Sequence, residues 1–380
     1  MQYGLIGEKL GHSYSARIHA MLGDYDYRLY PMPPEEMRAH MRARDFLGLN
    51  VTIPYKKDVL PFCDALSEEV KRIGSANTLV NAGGVLTAYN TDIGGLLSLI
   101  ERTGVQVRGK KAVILGSGGT SLTARAACET LGARETVVVS RRGPVTYDVL
   151  YRDHAGAQAL INATPVGMYP NTGVAPVDLS MFPRLEGVLD LIYNPARTQL
   201  LLDAERLGVR CANGLHMLVA QAKLASELFR DTKLDDGIID RVRARIERDT
   251  HNIVLIGMPG SGKTTLGERI AERLNRRLID TDESLLTITG GRDAASIIRN
   301  EGEAEFRRIE TQAVREAGMQ SGCVIATGGG VVTQSANRDP LRQNSVVFFV
   351  DRPLELLELS DTRPLSMTRA QNEALYAVRR

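Results

Sequence analysis

The residues of this 380-residue chain best suited to chemistry lie late in it, at Gly257-Met-Pro-Gly-Ser-Gly-Lys-Thr264, which fits the spacing G-x-x-x-x-G-K-[ST]. Glycines so placed let backbone N–H groups curl round phosphate oxygens at a helix N-terminus, where the helix dipole adds positive potential. Lys263 would then reach the outer phosphates and the hydroxyl of Thr264 would ligate Mg²⁺, with Gly260, Gly262 and Thr265 completing the cradle. Two carboxylates follow in Leu278-Ile-Asp-Thr-Asp282; Asp280 and Asp282 both face a cleft if the strand ends between them.

A second group lies in the first hundred residues. Ser13 and Ser15 stand just before a helix, where Ser15 is expected to cap it and the pair could also donate hydrogen bonds to a carboxylate. Lys56 and Lys57 follow Pro54 at a strand end, and Asp92 opens a helix, a position that capping alone would explain. Adjacent lysines are most often a solvated turn. Lys, Asn and Asp gathered at successive strand ends are nevertheless more than capping needs. Between these groups, Gly116-Ser-Gly-Gly-Thr-Ser121 is an imperfect dinucleotide fingerprint, with Ser121 where the third small residue belongs. The next strand ends in Ser140-Arg-Arg142; arginine there suits a 2′-phosphate, where an acidic residue would suit a free ribose hydroxyl, so the expected cofactor is NADP(H).

The elements that must position these residues follow from apolar runs and breakers. Buried strands are expected at Tyr3 to Ile6, from Gly48 into Pro54, at Lys111 to Leu115, Thr136 to Val139, from Ala159, from Val188 and at Ile253 to Ile256, with a Gly-containing hairpin at Ala82-Gly-Gly84. Helices are expected from Ala16, Thr123, Asn213 and Thr265, over Glu227 to Arg248, and over Glu301 to Glu310. The fold class is α/β: a split α/β substrate domain and a Rossmann-like domain, then a P-loop domain, with only Thr250 to Asn252 as linker. The expected boundaries are 1–103 completed by helices 214–248, then 104–213, then 252–380.

Length favours two or three domains. A net charge of +2 gives no sign of nucleic acid or membrane surface as partner. Cys63, Cys128, Cys211 and Cys323 are far apart, which argues against a zinc site or a disulfide framework. With no signal peptide or membrane-length apolar run, a reducing, cytoplasmic setting is expected.

The sets His12-Ser-Tyr-Ser15, Asn50-Val-Thr-Ile-Pro-Tyr-Lys56, Ser75-Ala-Asn-Thr-Leu79 and Asn90-Thr-Asp92, in this order and spacing, resemble shikimate dehydrogenase. The resemblance implies that Ser13, Ser15, Thr52, Asn77 and Asp92 bind shikimate, with Lys56 and Asp92 as the catalytic pair and Tyr193 and Gln221 also facing substrate. Along the cofactor it implies Gly116, Ser117, Gly118, Gly119, Thr120, Ser140, Arg141, Arg142, Thr164, Met168, Gly214 and Met217, although core packing alone would explain Met217. One departure is Ala16, where the family usually has proline. Ketone reduction needs a proton donor within hydrogen-bond reach of the oxygen, and a lysine partnered by an aspartate meets that need with either group moving the proton.

From Ile253 onward the phosphate loop, Leu278 to Asp282, Glu301 to Glu310 and Val324-Ile-Ala-Thr-Gly-Gly-Gly330 together resemble shikimate kinase. The resemblance implies Asp280 near Mg²⁺, Asp282 as partner of the attacking hydroxyl, Arg307 with Gly329 and Gly330 gripping the substrate carboxylate, Arg363 as a lid over ATP, and Arg379 as a second carboxylate ligand. Kinases of this family continue through a further strand and a terminal helix, so a C-terminally truncated domain is expected. The sequence as a whole is expected to be a fused enzyme that reduces 3-dehydroshikimate and phosphorylates the shikimate formed, with a homodimer possible. The alternative is a dehydrogenase carrying an inactive structural or nucleotide-binding module; a pure ATP sensor would not need Asp282, Arg307 and the glycine triplet.

Overall fold

Each apolar run that precedes a polar cluster becomes a strand with its C-terminal end at that cluster. The computed structural model describes residues 2–11, 13–357, 368, 370 and 373–376. They form two compact units: one of residues up to Val166 with Ala175–Tyr193 and Asp203–Arg245, the other of Gly167–Val174, Asn194–Leu202 and the described residues from Ile246 onward.

The first unit holds two sheets. Strands β1 (Tyr3–Gly7), β2 (Tyr27–Pro31), β3 (Gly48–Val51), β4 (Ala65–Leu66), β5 (Thr78–Ala82) and β6 (Val85–Tyr89) lie in the order β2-β1-β3-β5-β6-β4. β1 is parallel to β2 and β3, and β5 runs antiparallel to both β3 and β6. The β5–β6 hairpin turns at Gly83 and Gly84, both at positive φ, as the Ala82-Gly-Gly run predicts. Strands β7 (Lys111–Leu115), β8 (Glu135–Val139), β9 (Ala159–Asn162), β10 (Gly187–Asp190) and β11 (Arg210–Asn213) make a fully parallel sheet, β11-β10-β9-β7-β8. β3, β9 and β10 are buried throughout, as a sheet covered on both faces requires.

Helix Thr91–Thr103 packs on helix Leu215–Arg230, and this crossing brings Gln221 toward the first sheet. Gly95 permits the approach: a Cβ there would stand 2.7 Å from the Met217 carbonyl oxygen and 3.0 Å from Gln221 Cβ. Three expectations are corrected. Ser15 is the first residue of helix Ser15–Leu22 and does not cap it; its N–H instead donates to Ser13 Oγ at 3.2 Å. Asn90, not Asp92, caps helix Thr91–Thr103, its side chain accepting from the Ile93 N–H, so the Asp92 carboxylate is left for other partners. The expected helix Glu227 to Arg248 is two, because Asp231 turns left-handed at φ 45° to end the first, and the second, Gly237–Thr250, runs up to the next strand with only His251 between.

In the second unit β12 (Asn252–Ile256), β13 (Leu278–Asp280), β14 (Val324–Ala326) and β15 (Ser345–Phe349) form a parallel sheet, β13-β14-β12-β15. Buried Asn252 ties it to the neighbouring loop, donating to the Gln320 carbonyl at 2.7 Å and accepting from the Cys323 N–H at 2.9 Å. The expected helix Glu301 to Glu310 is interrupted: Ala294–Glu301 ends at Gly302, whose φ of 90° lets helix Glu303–Gly318 leave in a new direction. Two segments that continue from β9 and β10 also pack here. The Tyr169 hydroxyl donates to the Gly318 carbonyl at 2.9 Å, the Arg197 N–H to the Gln343 carbonyl at 2.7 Å and its guanidinium to the Arg342 carbonyl at 3.0 Å. No helix among the described residues is long and apolar enough to cross a membrane.

Gly95→Val forces the Met217 and Gln221 backbone away from helix Thr91–Thr103, and is expected to cost ~2 kcal/mol of stability. Urea unfolding of the variant against the parent measures it; an unchanged midpoint would show that the crossing tolerates a side chain.

Candidate active sites

Where β3 and β6 end and β5 begins, the Lys56 Nζ lies 2.6 Å from Asp92 Oδ2, with both side chains less than a fifth exposed. The other carboxylate oxygen, Asp92 Oδ1, accepts from the Asn77 amide at 2.8 Å. The Asn77 oxygen is itself taken by the Thr91 N–H at 2.7 Å, so the first turn of the helix fixes which way the amide faces. Gln221 Oε1 reaches the same corner, 3.4 Å from Asn77 Nδ2. The structure therefore brings Lys56, Asn77, Asp92 and Gln221 together. Satisfied on both oxygens, the Asp92 carboxylate tolerates its burial beside the ammonium.

Ser13 and Ser15 face each other, with 3.1 Å between hydroxyl oxygens. The neighbouring Tyr14 packs its ring at a tilt against Tyr193 with centroids 5.3 Å apart, and burial, helped by Tyr14, pushes the Tyr193 phenol up to about 12. Thr52 continues β3, its methyl lying where a side chain on Gly7 would stand. Tyr14, Asn50 and Thr91 were passed over as site residues, although each lies inside a motif that the sequence presents. Behind the pair, His19 is buried, stacked at 3.8 Å on Tyr27 and hydrogen-bonded to the Tyr25 hydroxyl. Burial, only partly offset by a hydrogen bond to Asn50, pulls His19 down to about 3.

In the parallel sheet, Gly116 turns at φ 106° and Gly118 precedes helix Gly119–Thr130 with no side-chain cap. Cβ atoms built on Gly118 and Gly119 would meet nothing within 4 Å. The first N–H groups of this helix thus front open space edged by glycine, a cradle that fits a pyrophosphate. Ser117 and Thr120 lie in the same turn, and Arg141 and Arg142 are exposed after β8 beside Ser140. Thr164 is anchored by Asn162, whose amide bonds buried Asp190 at 3.0 Å and so joins β9 to β10. Gly214 packs so tightly on Leu191 that a Cβ would stand 2.2 Å from its carbonyl oxygen, and Met217 is a buried core residue. Met168 is exposed and belongs by packing to the second unit.

In the second unit the phosphate loop Gly257–Gly262 leads into helix Lys263–Leu274, with Gly260 and Gly262 at positive φ and Thr265 in the first turn. Lys263 is buried, its Nζ donating to the Gly257 and Met258 carbonyls at 3.0 and 2.8 Å. The Thr264 hydroxyl donates to Asp280 Oδ2 at 2.8 Å. These two hard oxygen donors, beside a phosphate loop, fit Mg²⁺, which keeps most of its waters and takes few protein ligands. β13 ends at Asp280, which caps the helix Thr281–Thr289, so Asp282 sits in a first helical turn.

The triplet Gly328–Gly330 closes the site from the other side. Built Cβ atoms would stand 2.8 Å from Asp282 Oδ1 at Gly328, 2.5 Å from Pro259 at Gly329 and 2.3 Å from the Arg307 guanidinium at Gly330. The ring of Pro259 and the tips of Asp282 and Arg307 occupy the space that side chains on these glycines would take. Arg307 also pairs with Glu310 at 2.8 Å and Glu303 at 3.0 Å, and Glu310 is a neighbour of Asp282 that the motifs did not single out. Arg363 and Arg379 lie outside the described residues.

Fold and sites define a two-sheet α/β dehydrogenase-type protein joined to a P-loop domain. Residues 5–79 match the shikimate dehydrogenase substrate binding domain and residues 259–379 match shikimate kinase. The chain is 33% identical to the shikimate dehydrogenase (NADP(+)) of Caldanaerobacter subterraneus subsp. tengcongensis over 64% of its own length and 97% of the relative's. Its structure resembles shikimate dehydrogenase 1 from Peptoclostridium difficile (36% identity, TM-score 0.60, 65% of this chain and 97% of that one). It also resembles shikimate 5-dehydrogenase from Thermus thermophilus in complex with NADP(H) and shikimate (28% identity, TM-score 0.59, 64% and 99%). The chain belongs to the shikimate dehydrogenase family, and its last third carries a shikimate kinase domain.

His19 sets a pH dependence. The folded protein holds it neutral down to about pH 3, whereas the unfolded chain takes up its proton near 6.5; its contribution to stability is complete above about 6.5 and is lost as pH falls toward 3. Between pH 7 and pH 5 the parent should lose ~1–2 kcal/mol more unfolding free energy than His19→Gln. Equal losses in urea titrations at the two pH values would remove His19 from the account.

Proposed function

We propose that the chain carries out two consecutive steps: NADPH-dependent reduction of 3-dehydroshikimate to shikimate, then ATP-dependent phosphorylation of shikimate. The observation that carries the first step is the 2.6 Å contact of Lys56 with an Asp92 carboxylate whose other oxygen is held by Asn77. The pyridine nucleotide, when bound, supplies the hydride. Lys56 and Asp92 hold the oxygen of the reacting carbon and exchange a proton with it, the ammonium placed to donate as negative charge develops. Ser13, Ser15, Thr52, Asn77, Tyr193 and Gln221 orient the ring and its carboxylate. Residues 1–103 with the 214–248 helices hold substrate in this reading, and 104–213 hold the cofactor, with Arg141 and Arg142 on its 2′-phosphate. The relative named as NADP(+)-dependent and the Thermus neighbour described with NADP(H) and shikimate support the same substrates here.

For the second step, residues 252–380 hold the nucleotide on Gly260, Gly262, Lys263 and Thr265. Thr264 and Asp280 would hold Mg²⁺, which neutralises phosphate charge. Asp282 orients the attacking hydroxyl, and Arg307 against Gly329 and Gly330 takes the substrate carboxylate. Asp282 against Gly328 and Arg307 against Gly330, on one glycine run, support a second-substrate site, which simple nucleotide binding would not call for.

The test uses the whole chain and two assays: NADP⁺ reduction by shikimate, and shikimate-dependent ADP formation with Mg·ATP. Lys56→Ala should lower the first by at least about 100-fold and leave the second intact; Asp282→Asn should do the reverse. No ADP formation beside a working dehydrogenase would assign residues 252–380 the structural or nucleotide-binding role instead.

A further inference from the structure

Behind the Lys56–Asp92 pair runs a chain of buried side chains that crosses the first sheet. The Tyr27 hydroxyl on β2 donates to Asn50 Oδ1 on β3 at 2.7 Å. Asn50 Nδ2 donates to Thr78 Oγ1 on β5 at 3.0 Å and to the Asn77 carbonyl at 3.2 Å. The Thr78 hydroxyl donates to Asn77 Oδ1 at 3.1 Å, and Asn77 Nδ2 donates to Asp92 Oδ1 at 2.8 Å. All five residues are at most 9% exposed.

Amide chemistry sets the direction of the links at Tyr27, Asn50 and Asn77, while the Thr78 hydroxyl has two acceptors within reach, Asn77 Oδ1 at 3.1 Å and Thr91 Oγ1 at 3.2 Å. An amide nitrogen only donates and an amide oxygen only accepts. With its lone pair taken by Asn50, the Thr78 hydroxyl can spend its proton on Asn77. With its oxygen taken by Thr78 and by the Thr91 N–H, Asn77 must turn its NH₂ toward the carboxylate. Aligned hydrogen bonds of this kind polarise one another in a low-dielectric interior. Tyr27 stands at the far end, its ring stacked on His19 at 3.8 Å.

We propose that Tyr27, Asn50 and Thr78 are positioning residues for the dehydrogenase reaction: a relay from β2 across β3 to β5 that fixes the Asn77 amide, and through it the Asp92 carboxylate facing Lys56. This rests on the reading of Lys56 and Asp92 as the reacting pair. The relay touches no substrate. It acts on how well Asp92 is aimed, so it governs turnover more than binding.

The experiment compares whole-chain Tyr27→Phe with Tyr3→Phe. Each removes one phenol hydroxyl from the same sheet, but that of Tyr3 donates to the Phe229 carbonyl, away from the relay. Tyr27→Phe is expected to lower kcat for NADP⁺ reduction by shikimate about tenfold with the shikimate KM within about twofold, while Tyr3→Phe leaves kcat within about twofold. Thr78→Val breaks the relay nearer the carboxylate and serves if Tyr27→Phe does not fold. Where both fold, the double variant should be no slower than the slower single, because a broken relay cannot be broken twice. Unchanged kcat in Tyr27→Phe, an equal loss in Tyr3→Phe, or losses that multiply in the double variant overturns the relay. If Lys56→Ala abolishes turnover while Tyr27→Phe does not touch it, the relay alone fails; if Lys56→Ala is also harmless, the underlying reading fails with it.

Discussion

A carboxylate and an ammonium held 2.6 Å apart and largely out of water can persist only where fixed dipoles replace the lost hydration. In the first unit those dipoles are the Asn77 amide and the helix turn that anchors it, and much of the surrounding architecture serves to place them. β5 must be antiparallel to β3 so that Asn50 and Thr78 lie side by side, a pairing present in the register. The helix after β6 must begin one residue before Asp92, with Asn90 as its cap, so that the carboxylate is free to turn inward. Gly95 must lack a side chain so that the second helix can bring Gln221 into the same corner. Stability and chemistry share these residues, because an interior that satisfies the pair is also one that holds it still.

The kinase domain meets a comparable demand by other means. Its charged groups, Asp282, Glu310 and Arg307, converge on the backbone at Gly328–Gly330, and three consecutive glycines make room for them. Ion pairing of Arg307 with Glu303 and Glu310 holds the guanidinium against that backbone before any substrate arrives. One site is organised by hydrogen-bonded amides deep in a sheet; the other is organised by missing side chains at a strand end.

Much of this was legible in the sequence because the signals are local. The phosphate loop needs a strand, glycines and a helix within a dozen residues, and the structure has them there. Strand ends marked by Pro54, Asn77 and the Gly116 turn carried the polar clusters as expected. Reading failed where the decision was made by distant residues. Tyr27 and Asn50 lie 23 positions apart, and nothing in either segment alone declares the contact. The break after Arg230 depends on a left-handed Asp231, a conformation that aspartate adopts only occasionally, so the charged run beyond it still scans as helix. Asp92 looked like a cap because acidic residues favour the first helical turn, whereas Asn90 two positions earlier had the better geometry.

The assignment of Gly167–Val174 and Asn194–Leu202 to the second unit has a consequence for how such a chain is assembled. The order of residues along the chain and the order in which they pack do not coincide. The second unit draws on pieces synthesised well before its own first strand, so its completion waits on contacts of long sequence separation, which are slow to close. His251 therefore marks a joint in the covalent chain and not the limit of the second unit: a cut there would leave Tyr169 and Arg197 on one fragment and the carbonyls they bond on the other. The two halves are interleaved along the sequence in a way that ties the inheritance of one to that of the other.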